Sequence, residues 1–348
     1  MSALTLARSG MAVTVLERHG PKPGNGGVLM TNDGLLEKLT GWNSTPGGAP
    51  TPAHLPGGFH SWGAIHDALR DTAAADERIT LHHHTRIASA DQDTRRAWAT
   101  TDEGKRFEAD VVIGGDGHRS VVRAAVAPHR PHAAFAGYVI WIGFPRESSL
   151  PPRVRKDRRI GQGAFLHSDN GILFGNYMPD EDGRPNDLQV GVGWYDNTHN
   201  AFLRQNGNVR DGVVHHSVTP DQVPDRVWDE LARLARKDWP APWADVLLAA
   251  IEQRALTGIP IAEYVPDRLV NGRIAIVGNA AHVPTPMTGS GFSESVSDAE
   301  ALAEAVAEGF VPDHAATALE RYELARLRRA RSVVESGKSF SSSFRIDR

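Results

Sequence analysis

Residues 273–299 read Arg273-Ile-Ala-Ile-Val-Gly278-Asn279-Ala-Ala-His282-Val-Pro-Thr-Pro286-Met-Thr-Gly289-Ser290-Gly291-Phe292-Ser-Glu294-Ser-Val-Ser-Asp298-Ala299, and this stretch decides the fold class. It opens with a short, almost wholly apolar run of the kind buried in parallel sheets. A glycine-rich loop comes next, and a helix is expected over residues 294–308. Glycines at 289 and 291 ahead of a helix leave backbone N–H groups free at the positive end of its dipole. Such a site suits a pyrophosphate or the electron-rich edge of a flavin ring.

Two further segments run a buried strand into a turn. In Asp110-Val-Val-Ile-Gly-Gly115-Asp116-Gly-His-Arg-Ser120-Val-Val-Arg123 a strand delivers an aspartate into a glycine turn. Asp116 there either meets a ligand or makes an ordinary Asp-Gly turn, with Ser120 as a plain helix cap. At the N-terminus, residues 2–10 have the spacing of the back half of a helix, with Gly10 as its stop. Met11-Ala-Val-Thr-Val-Leu16 is then a buried strand ending at Glu17-Arg18. Helix, turn, buried strand and acid are the second half of a βαβ unit, in which the acid accepts hydrogen bonds from a ribose. A plain surface charge is the other reading of Glu17.

Residues 20–60, rich in Gly and Pro, read mostly as loop with a short helix around 34–39, and a helix is expected at 60–72. Strands are expected at 79–84 and 85–91, with a hairpin partner at 95–100. From Pro131 the character changes: strand-like stretches at 137–144, 171–178 and 188–194 alternate with polar turns. Amphipathic helices at 227–237 and 243–253 come after them. This reads as an inserted antiparallel sheet with helical cover. A long amphipathic helix is expected at 314–336, with the last dozen residues frayed. The fold class is α/β: a discontinuous Rossmann-like domain, 1–130 and 265–348, whose first strand is missing, with an inserted antiparallel β-sheet substrate domain, 131–264.

Composition narrows the function. A formal net charge of −4 gives nucleic acid no electrostatic advantage. With no cysteine, disulfides, thiolate nucleophiles and Cys-ligated metals are excluded. No apolar run approaches the roughly 18 residues of a membrane span. Arg8, Glu17 and Arg18 interrupt any secretory apolar core. A cytoplasmic protein with a small-molecule partner is expected.

The order and spacing of the three segments resemble the flavoprotein aromatic hydroxylases, the class A monooxygenases of the para-hydroxybenzoate hydroxylase fold. Ala136-Gly-Tyr138-Val-Ile-Trp141 followed by the 278–299 motif is similar to the 2,6-dihydroxypyridine 3-monooxygenase branch in particular. The resemblance runs from the first residue to about Ser336 and is most specific over 278–299. It implies that the discontinuous domain binds FAD. Glu17, with Arg18 beside it, would meet the adenosine ribose. Gly115 and Asp116 would fall in the family's Asp-Gly motif, near the pyrophosphate and, in relatives, NAD(P)H. Gly278 and Asn279 would meet the ribityl or phosphate portion, and Gly289, Ser290, Gly291 and Phe292 would lie along the isoalloxazine. The Pro286 carbonyl would stand where the flavin reacts with oxygen. The implied reaction reduces FAD with NAD(P)H, captures O₂ and transfers one oxygen atom to an electron-rich aromatic or heteroaromatic ring.

The sequence departs from the family in two respects. The G-x-G-x-x-G turn lies about 20 residues before the acid, so it would fall just ahead of Met1. Either the sequence starts downstream of that segment or the protein has shed tight FAD binding. Asn279 stands where the family has Asp, which removes a charge but keeps a hydrogen bond. The rivals on this scaffold are a flavin-independent cyclase or isomerase and a non-catalytic ligand-binding relative. His282, inside the motif, is a candidate acid or base. Tyr138, Trp141, Trp194 and Tyr195 either line an aromatic substrate pocket or pack the core. His82 and His84 share a strand face that is expected to be solvated, with no metal. The basic run from Arg153 to Arg159 either holds an NADPH phosphate or is a solvated loop.

Overall fold

Short β-branched runs bounded by glycine or polar turns are too brief for helices and become strands. The structure, a computed structural model, describes residues 1–21, 27–31, 58–155, 163–169, 171–178, 186–307 and 311–345. Its strands are β1 (Val13–Leu16), β2 (Val28–Thr31), β3 (Gly58–Ser61), β4 (Ile79–His82), β5 (Ile87–Gln92), β6 (Ala97–Thr101), β7 (Arg106–Ala109), β8 (Val112–Gly114), β9 (Ala134–Gly143), β10 (Ala164–Ser168), β11 (Gly171–Tyr177), β12 (Val190–Asp196), β13 (Val209–Arg210), β14 (Val213–Val214), β15 (Thr257–Glu263), β16 (Val270–Asn271) and β17 (Ile274–Ile276). Its helices are α1 (Ser2–Arg8), α2 (Trp62–Ala74), α3 (Arg123–Val126), α4 (Pro152–Arg155), α5 (Asn200–Gln205), α6 (Asp225–Asp238), α7 (Trp243–Glu252), α8 (Gly291–Ala307) and α9 (Ala315–Phe344). The chain divides into a first unit (Met1–Gly57, Trp62–Ala133, Glu263–Phe340) and a second (Gly58–Ser61, Ala134–Ala262, Ser341–Arg348).

In the first unit β1 pairs with β4 in parallel, Val13 opposite Ile79. β8 pairs with β17 in parallel, Ile113 opposite Ala275, and β16 adds to β17 antiparallel. β5, β6 and β7 form an antiparallel meander. Ile274, Ala275 and Ile276 are buried with Val122, Val126, Leu302 and Tyr322. Burial of every side chain of β17 is why it reads as an unbroken apolar run. Each fully buried Leu or Ile contributes about 1.5–3 kcal/mol. α1 is tied to α8 by the Thr5 hydroxyl, which donates to the Ala299 carbonyl at 3.0 Å.

The second unit is built on a seven-stranded sheet of order β10-β11-β12-β9-β14-β13, with β15 also on β9. Leu173, Trp194 and Trp141 stand in one cross-strand row. Glycines make room for the indoles on that face: a Cβ at Gly175 would lie 2.3 Å from the Trp243 ring, and one at Gly258 2.8 Å from that of Trp141. α6 buries Val227, Leu231 and Leu234, a helical stripe.

Several boundaries differ from those expected. Residues 58–61 are strand, so the helix there begins at Trp62, and the helix after the glycine loop begins at Gly291. The last helix does not fray at 336 but runs to Phe344. Tertiary packing holds its end: the Phe344 ring meets Tyr138 edge-on at 5.2 Å, and the Asn197 amide donates to the Phe344 carbonyl at 2.6 Å. The short helix expected around 34–39 lies outside the described residues. No helix among the described residues is long and apolar enough to cross a membrane.

Candidate functional site

Where β17 ends, a 3₁₀ turn over Gly278–Ala280 reverses the chain. Gly278 takes φ +56°, and a Cβ there would also stand 2.9 Å from Ser295 Oγ. Its N–H donates to Asp298 Oδ2 of α8 at 2.8 Å, and His282 Nε2 lies 2.8 Å from the same oxygen. From α9, Arg326 donates to Asp298 Oδ1 at 2.8 Å and to Glu294 Oε2 at 2.7 Å. Arg329 adds a bond to Glu294 Oε1 at 2.8 Å. His282 and Asp298 are both 0% exposed. Burial favours the neutral form of Asp298, but the hydrogen bonds from His282, Arg326 and Gly278 outweigh it and hold the carboxyl below its ordinary pKa. A buried carboxylate thus fixes the loop after β17.

Arg123 fixes the other side of that loop. It is 0% exposed, and its guanidinium is satisfied by carbonyls. It donates to Ala280 at 2.7 Å, Asn279 at 2.9 Å, His118 at 3.0 Å and Pro131 at 3.1 Å. Its charge also lies 4.2 Å from the centre of the Tyr264 ring. Arg123 therefore clamps the turn after β8 to the turn after β17. Asp116 closes its own turn, its Oδ2 accepting from the N–H groups of Val121 (2.7 Å) and Val122 (3.2 Å).

Between these anchors runs an open strip. Asn279 is the exposed residue in an otherwise buried run from 273 to 285. Pro286 and Gly289 are exposed after it, and Met287, Thr288, Ser290 and Gly291 are half-buried. Gly289 and Gly117 take φ +62° and +79°, and a Cβ on either would meet nothing within 4 Å. Gly291 opens α8, whose first-turn N–H groups have no partner within the helix and lie at its positive end. A Cβ at Gly337 would stand 2.5 Å from Thr285 Cγ2, so the bare glycine lets α9 lie against the loop. An exposed amide at 279, open backbone at Gly117 and Gly289, and a free helix N-terminus fit the phosphates and flat ring of a flavin dinucleotide.

Of the other expected site residues, Glu17 follows β1, its Oε1 accepting the His19 N–H at 2.8 Å, and exposed Arg18 donates to His19 Nε2 at 2.9 Å. Gly115 is exposed after β8. The Pro286 carbonyl accepts the Gly289 N–H at 3.0 Å, which occupies one of its lone pairs. The Ser290 hydroxyl bonds Thr288 Oγ1 at 2.8 Å. Three expectations are corrected. His282 holds the loop from inside rather than facing an open site. The side chain of Phe292 packs with Leu4, Ala7 and Ile65, leaving only its backbone on the strip. Tyr138, Trp141, Trp194 and Tyr195 are buried in the second unit. There Trp141 Nε1 donates to Asp196 Oδ2 at 2.8 Å, and the Tyr138 hydroxyl meets Ser341 Oγ at 3.3 Å. Outside the strip, Arg153 pairs with Asp245 at 2.9 Å and the His82 ring meets Phe107 at a tilt, their centres 5.5 Å apart.

Sequence reasoning does not single out Asp298, Arg326, Arg123 or Gly337. For Asp298 a signal exists: Glu294, Asp298 and Leu302 share one helix face, and an acid on an apolar face needs a buried partner. Arg326 sits in a basic run that reads as solvated, and nothing nearby in sequence marks it.

The FAD binding domain family matches residues 63–337. The FAD-dependent urate hydroxylase of Klebsiella oxytoca is 28% identical over 244 residues, 70% of this chain and 53% of that protein. The 2,6-dihydroxypyridine 3-monooxygenase of Paenarthrobacter nicotinovorans is 24% identical over 296 residues, 82% of this chain and 68% of that protein. The chain spans about half the length of several curated relatives it matches. Among solved structures, 2,6-dihydroxypyridine-3-hydroxylase from Arthrobacter nicotinovorans superposes with a TM-score of 0.80 at 22% identity, covering 99% of this chain and 89% of that one. HpxO of Klebsiella pneumoniae, solved with FAD and uric acid, superposes at 0.66 with 19% identity, covering 99% and 86%. The glycine loop, its buried carboxylate and the Asp-Gly turn all lie within the matched region, and the chain belongs to the FAD-binding domain family, with the fold of the aromatic hydroxylases.

Proposed function

We propose that this protein is a cytoplasmic FAD-dependent monooxygenase that uses NAD(P)H and O₂ to hydroxylate an electron-rich aromatic or heteroaromatic small molecule. The observation that carries this reading is the strip from Asn279 to Gly291, held rigid from beneath by Asp298 and Arg123. When bound, FAD supplies electron transfer from NAD(P)H and the activation of O₂. The residues of this chain bind and orient. The exposed Asn279 amide offers hydrogen bonds to the ribityl or phosphate portion. Gly289, Ser290 and Gly291 would present backbone to the ring and Pro286 would stand beside it, and the α8 N-terminus favours electron-rich groups. Glu17 and Arg18 would receive the adenosine ribose, and Gly115 with the Asp116 turn would hold the pyrophosphate. Relatives named for urate and 2,6-dihydroxypyridine support a heteroaromatic substrate.

The test incubates the purified chain with FAD, NADH or NADPH, O₂ and either 2,6-dihydroxypyridine or urate. The reading expects NAD(P)H oxidation that rises with substrate and a product one oxygen atom heavier. Turnover without NAD(P)H would favour a cyclase or isomerase, and binding without any turnover a non-catalytic relative.

A further inference from the structure

One strand of the second unit carries a buried polar group with nothing to bond. Asn176 of β11 is 1% exposed, and neither its Nδ2 nor its Oδ1 has a hydrogen-bond partner. A buried polar atom left unpaired is costly, so a carboxamide with both atoms unpaired calls for a partner. Alternation along β11 puts Asn176, Phe174 and Ile172 on the face opposite to Gly175, the residue lying against Trp243. Across the sheet Gly191 stands opposite Asn176. Phe174, Gly193 and Ile142 form the adjoining row on the same face.

That row is partly exposed at all three positions, whereas Asn176 and Gly191 beside it are buried. A Cβ at Gly193 would meet only Ile140 Cγ2, at an ordinary 3.7 Å, so packing among the described residues does not demand glycine there. Among the described residues the face therefore offers an apolar floor with a glycine at its centre, and an unpaired carboxamide at its edge.

We propose that Asn176 is the polar anchor of the substrate site and selects a ring bearing adjacent C=O and N–H groups, the edge of a cyclic amide. A carboxamide holds one acceptor and one donor group in a single plane. An O=C–N–H edge answers both at once, in the way that asparagine reads the edge of adenine in DNA. A phenol has one oxygen, which cannot lie in line with both atoms of the carboxamide at once, so it makes one well-aligned bond where the cyclic amide makes two. The flat space over Gly193 takes the ring itself. This assignment rests on the heteroaromatic monooxygenase reading and narrows its substrate class.

The experiment measures binding of 2-pyridone and of phenol to the purified full chain by calorimetry, with and without FAD. It compares the wild type with Asn176→Leu and Asn176→Ala. The wild type is expected to prefer 2-pyridone by about tenfold or more, the worth of one further hydrogen bond in a buried site. Both variants lose that preference while their affinity for FAD stays unchanged. Asn176→Leu also melts at a higher temperature than the wild type, because it removes an unpaired buried amide, a change that a merely structural asparagine would not give. A wild type that binds both compounds alike overturns the assignment. So does a variant that keeps the preference, or an Asn176→Leu protein that melts lower. A wild type that prefers 2-pyridone yet never oxidises NAD(P)H sinks the monooxygenase reading and leaves the anchor standing.

Discussion

Replacing Asp298 with asparagine tests whether the buried carboxylate holds the loop. Asp298 accepts three hydrogen bonds, from Gly278 N–H, His282 and Arg326, each at 2.8 Å. Asparagine keeps the shape but turns one oxygen into an NH₂ group, so at least one donor now faces a donor. The lost charge-assisted bond is worth about 1.5–3 kcal/mol. Removing one partner of a buried ion pair costs about 3–5 kcal/mol when the other is left alone. Arg326 keeps Glu294, at 2.7 Å, so the lower end applies and the expected loss is about 3 kcal/mol. That is a large part of a typical stability of about 5–15 kcal/mol. Urea unfolding followed by circular dichroism at neutral pH measures it, and affinity for FAD should weaken in parallel. The sign with pH is fixed by the same bonds. Asp298 titrates below its ordinary 3.8 in the folded chain, so its contribution is complete above that value and is lost as pH falls through the folded value. The gap between wild type and Asp298→Asn should therefore narrow only in acid. A loss under about 0.5 kcal/mol, the range of an ordinary surface change, would refute the role given to this carboxylate.

Other substitutions probe the same geometry. Gly278→Ala forces a Cβ into a left-handed residue and against Ser295 Oγ, and should cost about 1–3 kcal/mol by thermal unfolding while lowering FAD affinity. Arg123→Met keeps bulk but strips four carbonyls of their donor, and a loss of about 3 kcal/mol or more is expected in the same urea assay. In the second unit, His199 is paired with Asp196, which also accepts from Thr198 Oγ1 at 2.6 Å. Burial opposes the charged imidazolium, but the Asp196 carboxylate outweighs it and raises His199 above its ordinary 6.5. The pair's contribution is thus full below 6.5 and lost as pH rises through the raised value. Melting temperature should decline along that alkaline limb in the wild type and not in His199→Phe.

The site's scaffold is legible where local chemistry dictates it. Short apolar runs at 11–16, 111–114 and 273–277 mark the parallel strands, and glycines at 278 and 289 mark the loop, because only certain residues tolerate those conformations. The hidden parts depend on partners far away in sequence. Arg123 reaches carbonyls 156 and 157 residues away, and Arg326 reaches an aspartate 28 residues earlier, so neither basic residue differs locally from a solvated one. The aromatic residues of the inserted sheet mislead for a related reason. Trp141 and Trp194 look like pocket lining until Gly258 and Gly171 are seen to make room for them in the packing. The helix end at 336–344 looks too polar to fold, and its contacts with Tyr138 and Asn197, distant in sequence, hold it in order.

The central claim is that the strip from Asn279 to Gly291, with the Asp116 turn, holds FAD. The direct measurement adds FAD to the purified 348-residue chain, removes excess by desalting and records the absorbance spectrum. Flavin bands that stay with the protein at close to one equivalent are the predicted result. A colourless, folded protein that leaves added FAD untouched would contradict it.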